Sequence, residues 1–222
     1  MSEKVSVYHY TKKTNVDKIL SKGLIPGTMF NTLGSRLREG ANYFWLSPDH
    51  DKMGCKNNDD YACLRIIVDE KHCIIGNMDI ISAAFFNFIM EKRGESHYEY
   101  KELVKLFDMT AVKYNSYEEG LFRAPEIIVQ KEIPPGNIKV VNPSEIVGIY
   151  PNNHSIYNER IKNKLMELTG KNFSPINELI GNLEKSGKIM KIAEHDDSNS
   201  VQLLHSYLIK ATNEVITFEV TA

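Results

Sequence analysis

Clusters of β-branched and aromatic residues along the first 150 positions predict short buried strands with helices between them. The predicted strands cover residues 5–11, 43–46, 63–68, 73–75, 126–130, 138–141 and 146–150. Apolar residues at helical spacing predict helices over residues 15–22, 80–92 and 97–107. Strands and helices do not alternate one by one, so the pattern disfavours a doubly wound parallel fold.

The pattern changes near residue 151. Residues 155–169 form an amphipathic helical pattern that ends at Gly170, and a second helix is predicted to start at Ser174–Pro175. Two alternating segments, 201–210 and 214–220, predict a C-terminal hairpin. We therefore expect an α+β protein with a main domain over residues 1–150 and a small helix-hairpin appendage over residues 151–222.

Composition is that of a globular protein and carries no strong charge signal. The 222 residues are 42% hydrophobic and 25% charged, with a formal net charge of −2. This balance argues against a nonspecific nucleic-acid coat protein, which needs a basic surface to release counterions. A local group of four lysines, Lys12, Lys13, Lys18 and Lys22, is explained equally well by a solvated helix face.

Cysteine usage and hydropathy suggest a cytoplasmic protein. Cys55, Cys63 and Cys73 include no Cys-x-x-Cys pair, so reduced thiols are expected rather than a disulfide framework. Zinc binding with His50 or His72 is the weaker alternative, because structural zinc sites usually contain closely spaced ligand pairs. The sequence has no apolar run long enough for a signal peptide or a membrane span.

Two segments combine polar side chains with predicted buried strands. In VYHYTKKTNVDKILSKGLIP, a strand carries His9 and Thr11 just before a helix that ends at Gly-Leu. In GLFRAPEIIVQKEIPPGNI, Arg123 and Glu126 lie at the start of a strand that continues with three apolar residues. A carboxylate at the start of such a strand is held rigidly, which suits an electrostatic role in catalysis.

These segments resemble ADP-ribosyltransferases, and in particular the DarT-like group of toxins. That group begins with a His-x-Thr strand and a helix ending in Gly-Leu, and closes with an Arg-x-Ala-Glu-like segment and an apolar strand. The resemblance covers residues 5–150, although only its two ends are specific. It implies a split mixed β-sheet core with inserted helices.

The resemblance also implies a role for individual residues, with NAD as co-substrate and no metal. His9 would hydrogen-bond the nicotinamide ribose, with Thr11 supporting the same region. Tyr43 would stack on the nicotinamide ring. Glu126 would be catalytic, because cleavage of the N-glycosidic bond creates positive charge on the ribose that a fixed carboxylate stabilises.

The sequence departs from the DarT-like pattern at one place. That group has a phosphate-binding arginine after its second aromatic strand, where this chain has Ser47–His50. Arg36, Arg38 and Arg123 are the candidates that would contact the NAD phosphates instead.

Each candidate also has a purely structural interpretation. His9 and Tyr43 would then be core residues, and Glu126 a charge that discourages pairing at a strand edge. Arg123 would pair with Glu118 or Glu119.

The expected function is transfer of ADP-ribose from NAD to a macromolecule, with release of nicotinamide. The resemblance favours a nucleic-acid acceptor, DNA or RNA, over protein. It also implies a toxin or anti-phage effector with an antitoxin partner. Two alternatives remain open: a non-catalytic binding module on the same fold, which the missing arginine supports, and an NAD glycohydrolase that uses water as the acceptor.

Overall fold

A computed structural model describes most of the chain. The described residues are 3–27, 33–50, 55–96, 98–146, 148–171, 175–196 and 203–220. They form an α+β structure with two compact units. Unit 1 contains residues 1–78, 107–118 and 124–151, and unit 2 contains residues 79–106, 119–123 and 152–222.

Unit 1 is built on a seven-stranded sheet. Its strands are β1 (Lys4–Lys12), β2 (Asn42–Trp45), β3 (Tyr61–Asp69), β4 (Ile74–Asn77), β5 (Val112–Lys113), β6 (Pro125–Val129) and β7 (Ile138–Val141). Their order across the sheet is β5-β4-β6-β2-β1-β3-β7. The recorded strand pairs are all antiparallel, which corrects the expectation of a mixed sheet.

The sheet is weakly paired at its centre, between the neighbouring strands β1 and β2. β1 pairs with β3 along its whole length, from Lys4 opposite Asp69 to Lys12 opposite Tyr61. In contrast, the register between β1 and β2 consists of the single pair Tyr8–Trp45. The backbone groups on either side of this pair therefore need other hydrogen-bond partners.

Apolar side chains of the central strands form the core of unit 1. The sheet residues with the least exposure are Val7, Phe44, Leu64, Ile66, Ile75, Ile127 and Ile128. β6 is buried at every position, including Glu126, which matches its almost uniformly apolar sequence. The sequence clusters that predicted these strands are thus confirmed.

Helix α1 (Val16–Lys22) follows β1 and ends at a glycine, as predicted. Gly23 has a φ of 81°, and its amide donates to the carbonyl oxygen of Ile19. The next residue, Leu24, exchanges backbone hydrogen bonds with Ile133. Gly23 therefore both ends the helix and lets the chain run close beside the backbone at Ile133.

Unit 2 combines helices with a three-stranded sheet. The helices are α2 (Met78–Glu91), α3 (Tyr100–Thr110), α4 (Asn153–Thr169) and α5 (Ile176–Lys185); α2 begins and α3 ends in unit 1. The strands are β8 (Ile189–Asp196), β9 (Leu203–Ile209) and β10 (Glu214–Val220), in the order β10-β9-β8. A buried cluster joins α4, α5 and the sheet: Tyr157, Ile161, Leu165, Leu179, Leu183, Tyr207, Ile216 and Phe218.

The C-terminal hairpin predicted from the sequence is present as β9 and β10, but a third strand extends it. β8 was not predicted because a β-bulge between Lys191 and Ala193 shifts its register. Its buried residues Ile189 and Ile192 are consequently three apart and do not alternate. Ser174 and residues 201–202 of the predicted elements lie outside the described residues.

The strand predicted over residues 146–150 is wrong for the described residues of that segment. A short 3₁₀ turn, Pro143–Glu145, precedes it, and Tyr150 has a φ of 62°, which no strand residue adopts. Gly148 packs so closely on Ser47 that a Cβ atom there would overlap the Ser47 hydroxyl. The chain turns here instead of pairing with a neighbour.

Within the described ranges, no helix is long and apolar enough to cross a membrane.

We predict that Gly23→Ala destabilises the protein more than Gly34→Ala. Both glycines have φ near 80°, so alanine costs about 1 kcal/mol of backbone strain at either position. Only at Gly23 would the new Cβ overlap the carbonyl oxygen of Ile133, whereas it meets nothing within 4 Å at Gly34. Urea unfolding of the two variants measures the difference, and equal losses of stability would contradict the close approach at Gly23.

Candidate functional site

Glu126 lies at the start of β6 in the middle of the unit 1 sheet. It is opposite Trp45 on β2 and opposite Gly76 on β4. Its side chain is 8% exposed, so the carboxylate is almost completely removed from water. A buried carboxylate needs a positive partner or hydrogen-bond donors to remain ionised.

Arg38 supplies that partner. One terminal guanidinium nitrogen donates to the Glu126 carboxylate, and the Arg38 side chain is itself only 12% exposed. The guanidinium carbon lies 4.1 Å from the centroid of the Tyr43 ring and 6.0 Å from that of Phe107. A planar cation is therefore held between an aromatic face and a buried carboxylate.

The segment that carries Arg38, which we call the arginine loop (residues 35–39), is fixed by hydrogen bonds within unit 1. The Ser35 hydroxyl and the Arg36 amide donate to the carboxylate of Asp108, at 2.5 Å and 2.9 Å. The Gln130 side chain donates to the Arg36 carbonyl at 3.0 Å. The Tyr43 hydroxyl donates to the Arg38 carbonyl at 2.6 Å.

Sequence reasoning did not find Asp108 and Gln130, the residues that hold this loop. Asp108 lies 72 positions from Arg36 and Gln130 lies 94 positions from it. Neither belongs to a recognisable local motif, so only the folded chain identifies them.

Burial and pairing act on Glu126 in opposite directions. Burial raises the pKa of this carboxyl above its usual 4.5, and the charge and hydrogen bond of Arg38 oppose the rise. Burial likewise raises the pKa of Tyr43, so its phenol stays protonated at neutral pH and can donate to the Arg38 carbonyl. The arrangement is a low-dielectric site in which the Glu126 charge depends on a nearby cation.

His9 lies on β1, next to the single residue pair that joins β1 to β2. Its Nδ1 lies 3.2 Å from the carbonyl oxygen of Tyr43, and its ring packs edge-on against Phe44 with centroids 6.0 Å apart. A carbonyl can only accept, so Nδ1 carries the proton and Nε2 is the acceptor when the ring is neutral. Burial lowers the pKa of His9, which favours this neutral form.

The strand register separates the predicted residues into two groups. Residues directly opposite in antiparallel strands share a face, so Tyr8, Trp45 and Glu126 lie on one face of the sheet. His9 and Thr11 alternate with Tyr8 along β1 and point to the other face. Thr11 is 7% exposed and lies opposite Ala62. His9 therefore contacts the main-chain carbonyl of Tyr43, whereas the Arg38 guanidinium contacts the Tyr43 ring.

The other two candidate arginines have different surroundings. The Arg36 side chain is 87% exposed, with its Nε 3.9 Å from Asp108. Arg123 belongs to unit 2 and is buried against Asp79 through two hydrogen bonds, at 3.1 Å and 2.5 Å. The structural interpretation that paired Arg123 with Glu118 or Glu119 is thus corrected. Asp79 lies 44 positions from Arg123 in the sequence, so the acidic residues nearest in sequence did not predict the partner of Arg123.

The remaining chemistry of the described residues is limited. They contain no group of three or more His, Cys, Asp or Glu side chains arranged to hold a metal ion. Cys63 and Cys73 are buried and Cys55 is half-buried. Burial raises the pKa of Cys73 to about 12, so this thiol is unreactive at neutral pH.

Comparison with known proteins gives no relative for this chain. No protein-family model, curated protein or solved structure matches it significantly.

We predict that Arg38→Met destabilises the protein by about 3–5 kcal/mol at pH 8, because it leaves the Glu126 carboxylate buried without its partner. Loss of Arg38 raises the pKa of Glu126 further. The loss of stability in Arg38→Met therefore increases as pH rises through the pKa of Glu126. It is small near pH 4, where Glu126 is protonated in both the folded and unfolded states.

Urea unfolding at the two pH values measures this effect. Arg36→Met is the matched control and should cost about 0–1 kcal/mol at both, because that side chain is exposed. A pH-independent loss in Arg38→Met would show that packing, rather than the Glu126 charge, dominates.

We also predict that His9 is neutral and protonated on Nδ1 at pH 7, since burial lowers its pKa below 6.5 and Nδ1 faces the Tyr43 carbonyl. Long-range ¹H–¹⁵N NMR spectra of the protein report the tautomer directly, and His9→Gln assigns the signal. An Nε2-protonated ring, or titration of His9 above pH 6.5, would contradict this placement.

Proposed function

We propose that this protein is an NAD-dependent ADP-ribosyltransferase whose reaction centre is formed by Tyr43 and Glu126. The single observation that carries the proposal is that these two side chains already hold a planar cation, the guanidinium of Arg38. The nicotinamide ring of NAD is also a planar cation. The Tyr43 ring and the Glu126 carboxylate have the chemistry to bind it in the same way.

The proposed reaction uses the carboxylate of Glu126 to stabilise positive charge. The bond between ribose C1′ and the nicotinamide nitrogen breaks, and its electron pair leaves with neutral nicotinamide. C1′ then carries oxocarbenium character, which the buried carboxylate stabilises more strongly than water would. A lone pair of the acceptor forms the new bond to C1′, and the acceptor releases one proton.

Arg38 must leave Glu126 for NAD to bind in this way. Its guanidinium occupies the place between the Tyr43 ring and the carboxylate, while the arginine loop is fixed by backbone hydrogen bonds that do not involve that group. A change of side-chain rotamer would therefore release it without unfolding the loop. The freed guanidinium, with the exposed Arg36, is suited to contact the NAD phosphates.

The acceptor and the biological role are proposed from the resemblance to the DarT-like group. A nucleic-acid base, in DNA or RNA, is favoured over a protein side chain. An anti-phage or toxin role with an antitoxin partner would follow. An NAD glycohydrolase would use the same centre with water as the acceptor, so acceptor labelling distinguishes the two.

We predict that Glu126→Gln abolishes transfer by removing the charge while keeping the shape of the side chain. Purified protein is incubated with NAD labelled in the adenylate part and, separately, with DNA, RNA and lysate protein. Labelling of one pool and nicotinamide release should both fall by at least about 100-fold in the variant. Glu132→Gln, the same change at an exposed residue, is the control and should retain activity.

Three results have different meanings in this experiment. Nicotinamide release without labelling of any pool would indicate the glycohydrolase. Binding of NAD without release would indicate a non-catalytic module. Full transfer activity in folded Glu126→Gln would exclude Glu126 as the catalytic residue.

A further inference from the structure

A second candidate site lies in unit 1, at the end of the sheet where β1 begins. A cavity of about 560 Å³ opens there, within the range of about 300–1,000 Å³ typical of small-molecule sites. None of its lining residues belongs to the group formed by Arg38, Tyr43 and Glu126. The cavity is therefore separate in its residues from the proposed reaction centre.

Four tyrosines line this cavity: Tyr8, Tyr114, Tyr117 and Tyr150. Tyr117 and Tyr150 meet edge to face, with ring centroids 5.4 Å apart. Tyr150 has a φ of 62°, a conformation that costs a non-glycine residue about 1 kcal/mol or more. Backbone strain at an aromatic residue that lines a cavity is characteristic of sites built to position a side chain.

The charged residues around the cavity are predominantly acidic. Glu3 and Glu70 line it, and Lys4, the one cation among the described lining residues, is ion-paired at 2.9 Å with Asp69, which does not line it. The pKa of Tyr114 is raised to about 12, first by burial and then by neighbouring groups that include Glu70 and Glu3. Both carboxylates thus act on a phenol that faces the cavity.

We propose that this tyrosine-lined cavity binds a small alkylated ammonium compound. Aromatic faces attract such cations through their quadrupoles, and the carboxylates of Glu3 and Glu70 add a net negative field. An alkylated ammonium is favoured over a primary one because it is weakly hydrated and loses less on leaving water for an aromatic cavity. An anionic ligand such as a phosphate would be repelled.

Choline is the probe, and 3,3-dimethylbutan-1-ol, which has the same shape without the charge, is its matched control. Isothermal titration calorimetry on the full chain should give a choline dissociation constant of roughly 1 mM. The neutral alcohol should bind at least about tenfold more weakly. This comparison uses the unmodified protein, so it does not depend on the folding of any variant.

Two variants locate the binding. Glu70→Gln should weaken choline binding by about tenfold, since it removes one of the two lining carboxylates. Glu132→Gln should leave choline binding unchanged, because Glu132 is exposed and does not line the cavity. The unfolding midpoint of each variant is checked first.

The proposal would be overturned by equal binding of choline and the alcohol, or by no binding of choline up to about 50 mM. An unchanged choline affinity in folded Glu70→Gln would also overturn it. These results are independent of whether the protein transfers ADP-ribose.

Discussion

A buried carboxylate that requires a cation is the constraint around which unit 1 is arranged. Glu126 is 8% exposed at the centre of a sheet, where an unpaired charge would cost several kcal/mol. Arg38 compensates that charge, and Asp108, Gln130 and Tyr43 hold the loop that delivers it. Such a pair contributes little net stability compared with apolar side chains of similar volume.

The ion pair of Arg38 and Glu126 also explains how the site could exist in two states, with Arg38 bound or with a cationic ligand in its place. With Arg38 in place, the carboxylate is compensated and the Tyr43 ring is covered. A cationic ligand could take over both contacts, because the site recognises planar positive charge rather than arginine itself. These features are compatible with the chemistry of NAD, in which only the nicotinamide end is cationic.

The sequence predicted most of the core strands because their residues are β-branched and aromatic in nearly unbroken runs. It failed where the fold breaks local rules. The bulge in β8 removed the alternation that identifies a strand, and the contact of Gly148 with Ser47 turned an apolar run into a loop.

The candidate site was predicted in part. Glu126 and Tyr43 stood out by position, but nothing local distinguished Arg38 from Arg36 and Arg123, since their roles depend on partners 44 to 88 positions away.

In the proposed function, Tyr43 and Glu126 recognise the positive charge of a nicotinamide ring. The most direct measurement compares the oxidised and reduced forms of a non-cleavable NAD analogue, which differ in the charge of that ring. We expect calorimetry to give at least about tenfold tighter binding of the oxidised form, and Glu126→Gln to remove most of this preference. Equal affinity for the two forms, or a preference that survives in Glu126→Gln, would contradict it.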